Sequence, residues 1–147
     1  MITLENAIQK IQTGEADCIL VAEKESIIMP IKRGISPLVD LYKQHASLMN
    51  NASLVDKIVG RAASFIAILG HVQYVHAHLM SESALTLLKE YNIKATYDQL
   101  TPNILNRQQN NLCPMELAVQ KINNPQEALE AIQKKMEELQ SNNMHYE

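Results

Sequence analysis

The sequence predicts an α/β domain built on a mixed β-sheet flanked by helices. Short β-branched runs alternate with stretches of helical periodicity, in the order helix, two strands, helices, strand, helix, strand, helices. Strands joined by helical crossovers pair in parallel, which makes the sheet mixed. The 147 residues are 46% hydrophobic, enough for one core. One domain is therefore assigned to residues 1–140, with a frayed tail over 141–147. No internal repeat and no Gly/Pro/Ser-rich linker divides the chain.

Thr3 is placed to cap a first helix in which Leu4, Ala7, Ile8 and Ile11 recur at helical spacing, and Gly14 stops it. Residues 17–22 and 26–31 form short β-branched runs, and the polar Glu23, Lys24 and Glu25 between them predict an antiparallel hairpin. Ser36 and Pro37 read as an N-cap and a first-turn proline, opening a helix through Leu38, Val39, Leu41 and Tyr42. Ser53 to Asp56 matches a capping box with Asp in place of Glu, so a long buried helix is expected over residues 53–69. The chain then alternates over 72–80, and Ser81 opens a helix that ends near Asn92. A strand is expected over 93–97 and an irregular polar stretch over 99–112. A short helix follows from Cys113 and Pro114, and a last one from Asn124 and Pro125.

A net charge of −3 and a pI near 5.9 leave no basic surplus for a phosphate-backbone footprint, so nucleic acid is not an expected partner. The apolar stretch at 66–69 is bounded by Arg61, Ser64, Gly70 and His71, too short for a bilayer, and no membrane partner is expected. Residues 1–6 lack the basic region and apolar run of a secretory signal. Cys18 and Cys113 lie far apart in unlike contexts, as reduced thiols would. A cytoplasmic protein is the resulting expectation.

Arginine occurs at Arg33, before Gly34, at Arg61 in the expected buried helix, and at Arg107 after Asn106. Its planar fork suits bidentate recognition of phosphate or carboxylate. On the expected helix Lys57 and Arg61 share one face near the N-terminus, where cations oppose the helix dipole unless an anion is bound. With Gly60 allowing close approach, residues 53–61 form a candidate anion site. The competing reading pairs Lys57 with Asp56 and sends Arg61 to solvent.

Cys113 precedes Pro114 at a helix start, which favours thiolate; Glu116 in the same turn opposes it, and no histidine adjoins. A structural cap is the favoured reading there. His76 and His78 project to one side of a strand and could offer two imidazoles to a metal, but no third ligand can be placed beside them from the sequence. Glu82 reads as an acid that stabilises a helix start.

Three stretches resemble the motifs of the domain of unknown function family 1893: Arg33 to Leu38, Asp56 to Ala63, and Asn106-Arg107 with Leu112 to Glu116. They occur in the family's order, and the resemblance covers nearly the whole chain up to about Met136. It implies a cytidine-deaminase-like three-layer sandwich. In zinc deaminases a His or Cys with a nearby Glu opens one helix and Pro-Cys-x-x-Cys opens the next. Here the corresponding starts are read as Val55-Asp56-Lys57 and Ser81-Glu82-Ser83, which offer no imidazole or thiolate. Cys113-Pro114 has the reverse order, lacks a partner cysteine and comes one strand too late. The zinc mechanism is therefore not expected, and no cofactor is implied. The resemblance places Ser53, Asp56, Lys57, Ser81 and Glu82 around a shared ligand pocket, with Arg33, Asn106, Arg107 and Glu116 on its rim.

Three functions compete on these grounds. The first is a binding module for a nucleotide or other phosphorylated small molecule, with Lys57, Arg61 and Arg107 on the anion. The second is a metal-independent enzyme using Asp56, Lys57, Cys113 or Glu116. The third is a protein-interaction domain forming a homodimer through the last helix or a sheet edge.

Overall fold

The computed structural model describes residues 1–143. Its elements are α1 (Leu4–Gln12), β1 (Cys18–Val21), β2 (Ser26–Ile28), α2 (Ser36–Met49), β3 (Ser53–Val59), α3 (Arg61–Gly70), β4 (Tyr74–Ser81), α4 (Glu82–Glu90), β5 (Lys94–Thr101), α5 (Pro114–Val119) and α6 (Pro125–Asn143). Helix α6 runs past the start of the expected frayed tail, whose residues 144–147 lie outside the described residues.

The strands form one open sheet in the order β2-β1-β3-β4-β5. β1 is antiparallel to both β2 and β3, whereas β3, β4 and β5 run parallel. The hairpin and the parallel crossovers expected from the sequence are both present. Helix α1 starts where Thr3 was expected to cap it, its hydroxyl accepting the N–H of Asn6. The α2 helix begins with Ser36 as its first helical residue, one position earlier than a Ser36 cap would give, and no side chain caps it.

The largest departure is at residues 53–59, which form strand β3 and not the first half of a helix. Leu54, Val55, Ile58 and Val59 satisfy a helical spacing, but they are also a β-branched run ended by Gly60. Tertiary pairing decides between the two: β3 is bonded to β1 on one side and β4 on the other, at the centre of the sheet. Only residues 61–70 are helical. Lys57 and Arg61 therefore do not share a helix face. Strand β5 also runs on to Thr101, beyond the expected end at residue 97.

The two sheet faces are covered unequally. Ile19 and Val55 pack under α1 with Ala7, Ile11 and Ala16. A larger core joins Leu20, Leu54, Val75 and Ala77 to Leu38 and Leu41 of α2, Phe65 and Ile66 of α3, Leu87 and Leu88 of α4, and Ala128 and Ile132 of α6. Val59 belongs to this second core although Val55 belongs to the first. Residues four apart on a regular strand share a face, so the alternation slips between them.

Candidate functional site

Helices α3 and α4 both begin where a parallel strand ends, and the loop from β5 to α5 closes over their starts. A cavity of about 130 Å³ lies there, lined by Arg61, Ser81, Ser83, Asn103, Ile104, Leu112, Glu116 and Gln120. Ser81 caps α4, its Oγ accepting the N–H of Ala84 at 3.1 Å. The loop is braced by a bridge between Leu105 and Leu112 and by the Cys113 N–H donating to the Ile104 carbonyl at 3.0 Å. Asn106 holds the loop tip, donating through Nδ2 to Asn110 Oδ1 at 2.9 Å and accepting the Asn110 N–H at 3.2 Å.

The start of α3 is filled from α5. Glu116 Oε1 accepts the N–H of Arg61 at 2.7 Å and Oε2 accepts that of Ala62 at 2.9 Å. Gly60 makes room: a Cβ at this position would lie 2.3 Å from Glu116 Oε1. Arg61 returns the connection. Its guanidinium donates to the carbonyls of Val119 at 3.3 Å and Ile122 at 2.5 Å and to Asn123 Oδ1 at 3.0 Å, and it lies over the Phe65 ring. Burial pushes the Glu116 carboxyl up, more than the two N–H donors and the Arg61 charge lower it.

This geometry redistributes the residues expected around a shared pocket. Ser81, Arg61 and Glu116 do line the cavity. Ser53 begins β3 opposite Tyr74, at the far end of the ladder from Ser81, roughly 20 Å away at the strand rise per residue. Asp56 and Lys57 lie within β3, Glu82 is exposed on the first turn of α4, and Arg33 sits in the turn before α2. Cys113 occupies the N-cap position of α5 without a side-chain cap bond. Sequence reasoning missed Ser83, Asn103 and Gln120. The apolar Ile104 and Leu112 inside a polar loop were the available sign that this segment folds back onto the domain.

The zinc centre of deaminases does not fit these residues. With β3 assigned, Gly60 precedes α3, and Glu116 already occupies the N–H groups of Arg61 and Ala62 at its start. No group of three His, Cys, Asp or Glu among the described residues is placed to hold a metal ion.

Asp56 pairs across the ladder with Cys18 and Ala77, both in the larger core. Its side chain is half-buried. Burial pushes the carboxyl up to about 8, against the bond from the Lys57 N–H and aided by the Asp17 charge.

A second polar cluster lies on the α1 side of the sheet. Asp98 Oδ1 meets His76 Nε2 at 3.1 Å, and Oδ2 meets His78 Nδ1 at 2.9 Å and the Gln12 amide at 3.1 Å. His76 Nδ1 bonds Thr96 Oγ1 at 2.7 Å, and Thr96 in turn bonds the Tyr74 hydroxyl. Thr96 and Asp98 alternate on β5 as His76 and His78 do on β4. The His76/His78 pair was visible in the sequence, but Asp98 lay beyond the expected end of the strand at residue 97, and the register that joins the two pairs was not visible.

The fold and cavity define a small α/β domain with a polar pocket at the carboxyl edge of a mixed sheet. The chain belongs to the domain of unknown function family DUF1893, whose model matches residues 6–136. It is similar to the crystal structure of a DUF1893 family protein from Thermotoga maritima, with 26% identity and a TM-score of 0.79, covering 90% of this chain and 88% of that one. No curated protein matches the chain significantly.

Two outcomes follow from this geometry. Gly60→Ala is expected to destabilise the wild-type chain by driving Glu116 off the α3 start, and to cost much less when combined with Glu116→Ala. Urea unfolding of the four-member cycle measures the coupling, and additive costs would disprove the steric account. For Asp56, the folded chain holds the proton up to about pH 8. The unfolded chain releases it near pH 4, so stability falls as pH rises between these values. Asp56→Asn should remove this slope in urea midpoints taken at pH 5 and pH 8; an unchanged slope counts against the raised pKa.

Proposed function

We propose that the chain is a deaminase-like domain without a zinc centre that binds a nucleoside or nucleotide in the cavity between the starts of α3 and α4. The position of the cavity carries this reading. Open α/β sheets take their ligands at the carboxyl ends of parallel strands, where β3 and β4 end here. Fold analogy supplies the class of ligand, and the lining refines it.

At about 130 Å³ the cavity falls below the roughly 300–1,000 Å³ that encloses a drug-sized molecule. It suits one fragment of a ligand. Ser83, Asn103 and Gln120 offer neutral donors and acceptors, and Glu116 accepts. Arg61 is spent on α5 and the turn after it, and Glu116 already answers the positive end of α3. The enclosed fragment is therefore uncharged and polar, as the edge of a nucleobase is. A phosphate belongs outside, toward the exposed Arg107 on the covering loop.

Thermal unfolding with nucleosides, nucleoside monophosphates and inorganic phosphate tests the proposal, because a ligand of the folded state raises the melting temperature by mass action. Nucleosides and nucleotides should raise it and phosphate alone should not. Asn103 and Gln120 are both exposed. Their joint replacement by Ala should abolish the shift while leaving the unliganded melting temperature near wild type. Absence of a shift with every nucleoside and nucleotide overturns the reading.

A second copy of this chain is the partner that the sheet itself favours. Strand β5 ends the strand order, its outer edge unpaired among the described residues, and it carries the exposed Tyr97 and Leu100. Such an edge is a template for strand pairing across a two-fold axis. Sedimentation should show a dimer that Leu100→Lys dissociates; a monomer at all concentrations rejects it.

A further inference from the structure

We propose that His78 and Asp98 form a general-base dyad on the sheet face that α1 leaves partly open, set to activate water against an uncharged acyl ester. This site lies apart from the cavity, and its test is independent of nucleotide binding.

The hydrogen-bond partners determine which ring nitrogen carries the proton. Burial alone would raise the Asp98 carboxyl. The bonds from His78 and Gln12, with the charge and bond of His76, outweigh it and hold Asp98 below its ordinary value. An ionised carboxylate only accepts, so His78 Nδ1, 2.9 Å from Asp98 Oδ2, must bear its hydrogen. Nε2 is then left with the lone pair, on a side chain that is 39% exposed. A carboxylate that fixes the Nδ1–H tautomer of an accessible imidazole is the arrangement that makes Nε2 a general base.

Four other groups act as positioning residues for this pair. His76, 7% exposed, donates from Nε2 to the other Asp98 oxygen and is held from behind by Thr96 and Tyr74. Gln12 reaches the same carboxylate from α1. Donors from β4 and α1 thus fix Asp98 against His78, its accessible imidazole partner. A purely structural tie between α1 and β5 would be complete with Gln12 alone.

Two neighbours bear on the substrate. In the ladder the pairs Asp56–Ala77 and Ile58–Leu79 flank one intervening row, which sets Lys57 on β3 beside His78 on β4. A cation at this position favours the negative charge that develops on a carbonyl oxygen under attack. On the α1 side, a shallow surface groove is lined by Glu5, Asn6, Ile8, Gln9 and Gln12, and Gln12 also touches the Asp98 carboxylate. Its acid disfavours an anionic substrate, and Ile8 offers apolar surface to a short acyl chain.

The reaction balances without a further reactant. A water oxygen bonds to the acyl carbon as its proton passes to His78 Nε2, leaving a tetrahedral oxyanion. Collapse breaks the bond to the leaving oxygen, which takes the proton back from Nε2. A carboxylic acid and an alcohol result, and Asp98 stays ionised throughout.

The probe is 4-nitrophenyl acetate with the full chain, followed as release of 4-nitrophenolate from pH 5 to 8.5. The wild type should exceed buffer, with a rate that depends on pH. His78→Ala should lower the rate about a hundredfold or to the buffer value. Asp98→Asn should lower it comparably and disturb the pH profile, while His71→Ala, outside the cluster, should leave both unchanged. Nitrogen-15 NMR of the wild type should show His78 as the Nδ1–H tautomer, a readout that does not depend on any variant folding. Equal rates for wild type and His78→Ala, an unaltered pH profile in Asp98→Asn, or an Nε2–H tautomer each overturn the proposal.

Discussion

The reciprocal clamp between Glu116 and Arg61 decides how the carboxyl edge of this sheet is built. A helix start leaves N–H groups without intrahelical partners, and burying them unpaired is costly. Here α5 supplies a carboxylate to the start of α3, and α3 supplies a guanidinium to the end of α5 and the turn after it. Each element completes the other's unsatisfied backbone. Gly60 is the condition for this exchange, because any Cβ there would displace the carboxylate. The loop between β5 and α5 is consequently held across the starts of α3 and α4, and the polar cavity is the space beneath it.

That clamp also shapes the chemistry of the pocket. A helix start ordinarily attracts anions, yet this one already holds its own. The cationic character expected of the site is thereby consumed by folding. Neutral hydroxyls and amides remain, which recognise shape and hydrogen-bonding pattern in preference to charge.

The unequal covering of the sheet has a separate consequence. The larger core takes helices α2, α3, α4 and α6 on one side, whereas α1 covers the other side over Ile19 and Val55. Across β4 and β5 that second face is polar, with His76, His78, Thr96 and Asp98 in place of apolar residues. No buried side-chain polar atom among the described residues is left without a partner. On this face the polar groups form a connected network, and it ends at His78, whose side chain stays accessible.

The sequence by itself determined the class of fold, the hairpin, the start of α1 at Thr3, the start of α4 at Ser81, and the helices beginning at Pro114 and Pro125. Each of these is set by local chemistry: a hydroxyl that can cap, a proline that fits a first turn, a β-branched run bounded by polar residues. Ser53 to Val59 could not be settled that way, because its apolar spacing suits a helix and a strand equally well. The ladders with β1 and β4 decide it, through hydrogen bonds to residues far off in the chain. The same holds for the sites. His76 and His78 were legible as a pair on one side of a strand, but Asp98 joins them only through the parallel register of β4 and β5. Glu116 reaches Gly60 across fifty-five intervening positions of fold, a contact that no local pattern encodes and only the packing of α5 against α3 creates.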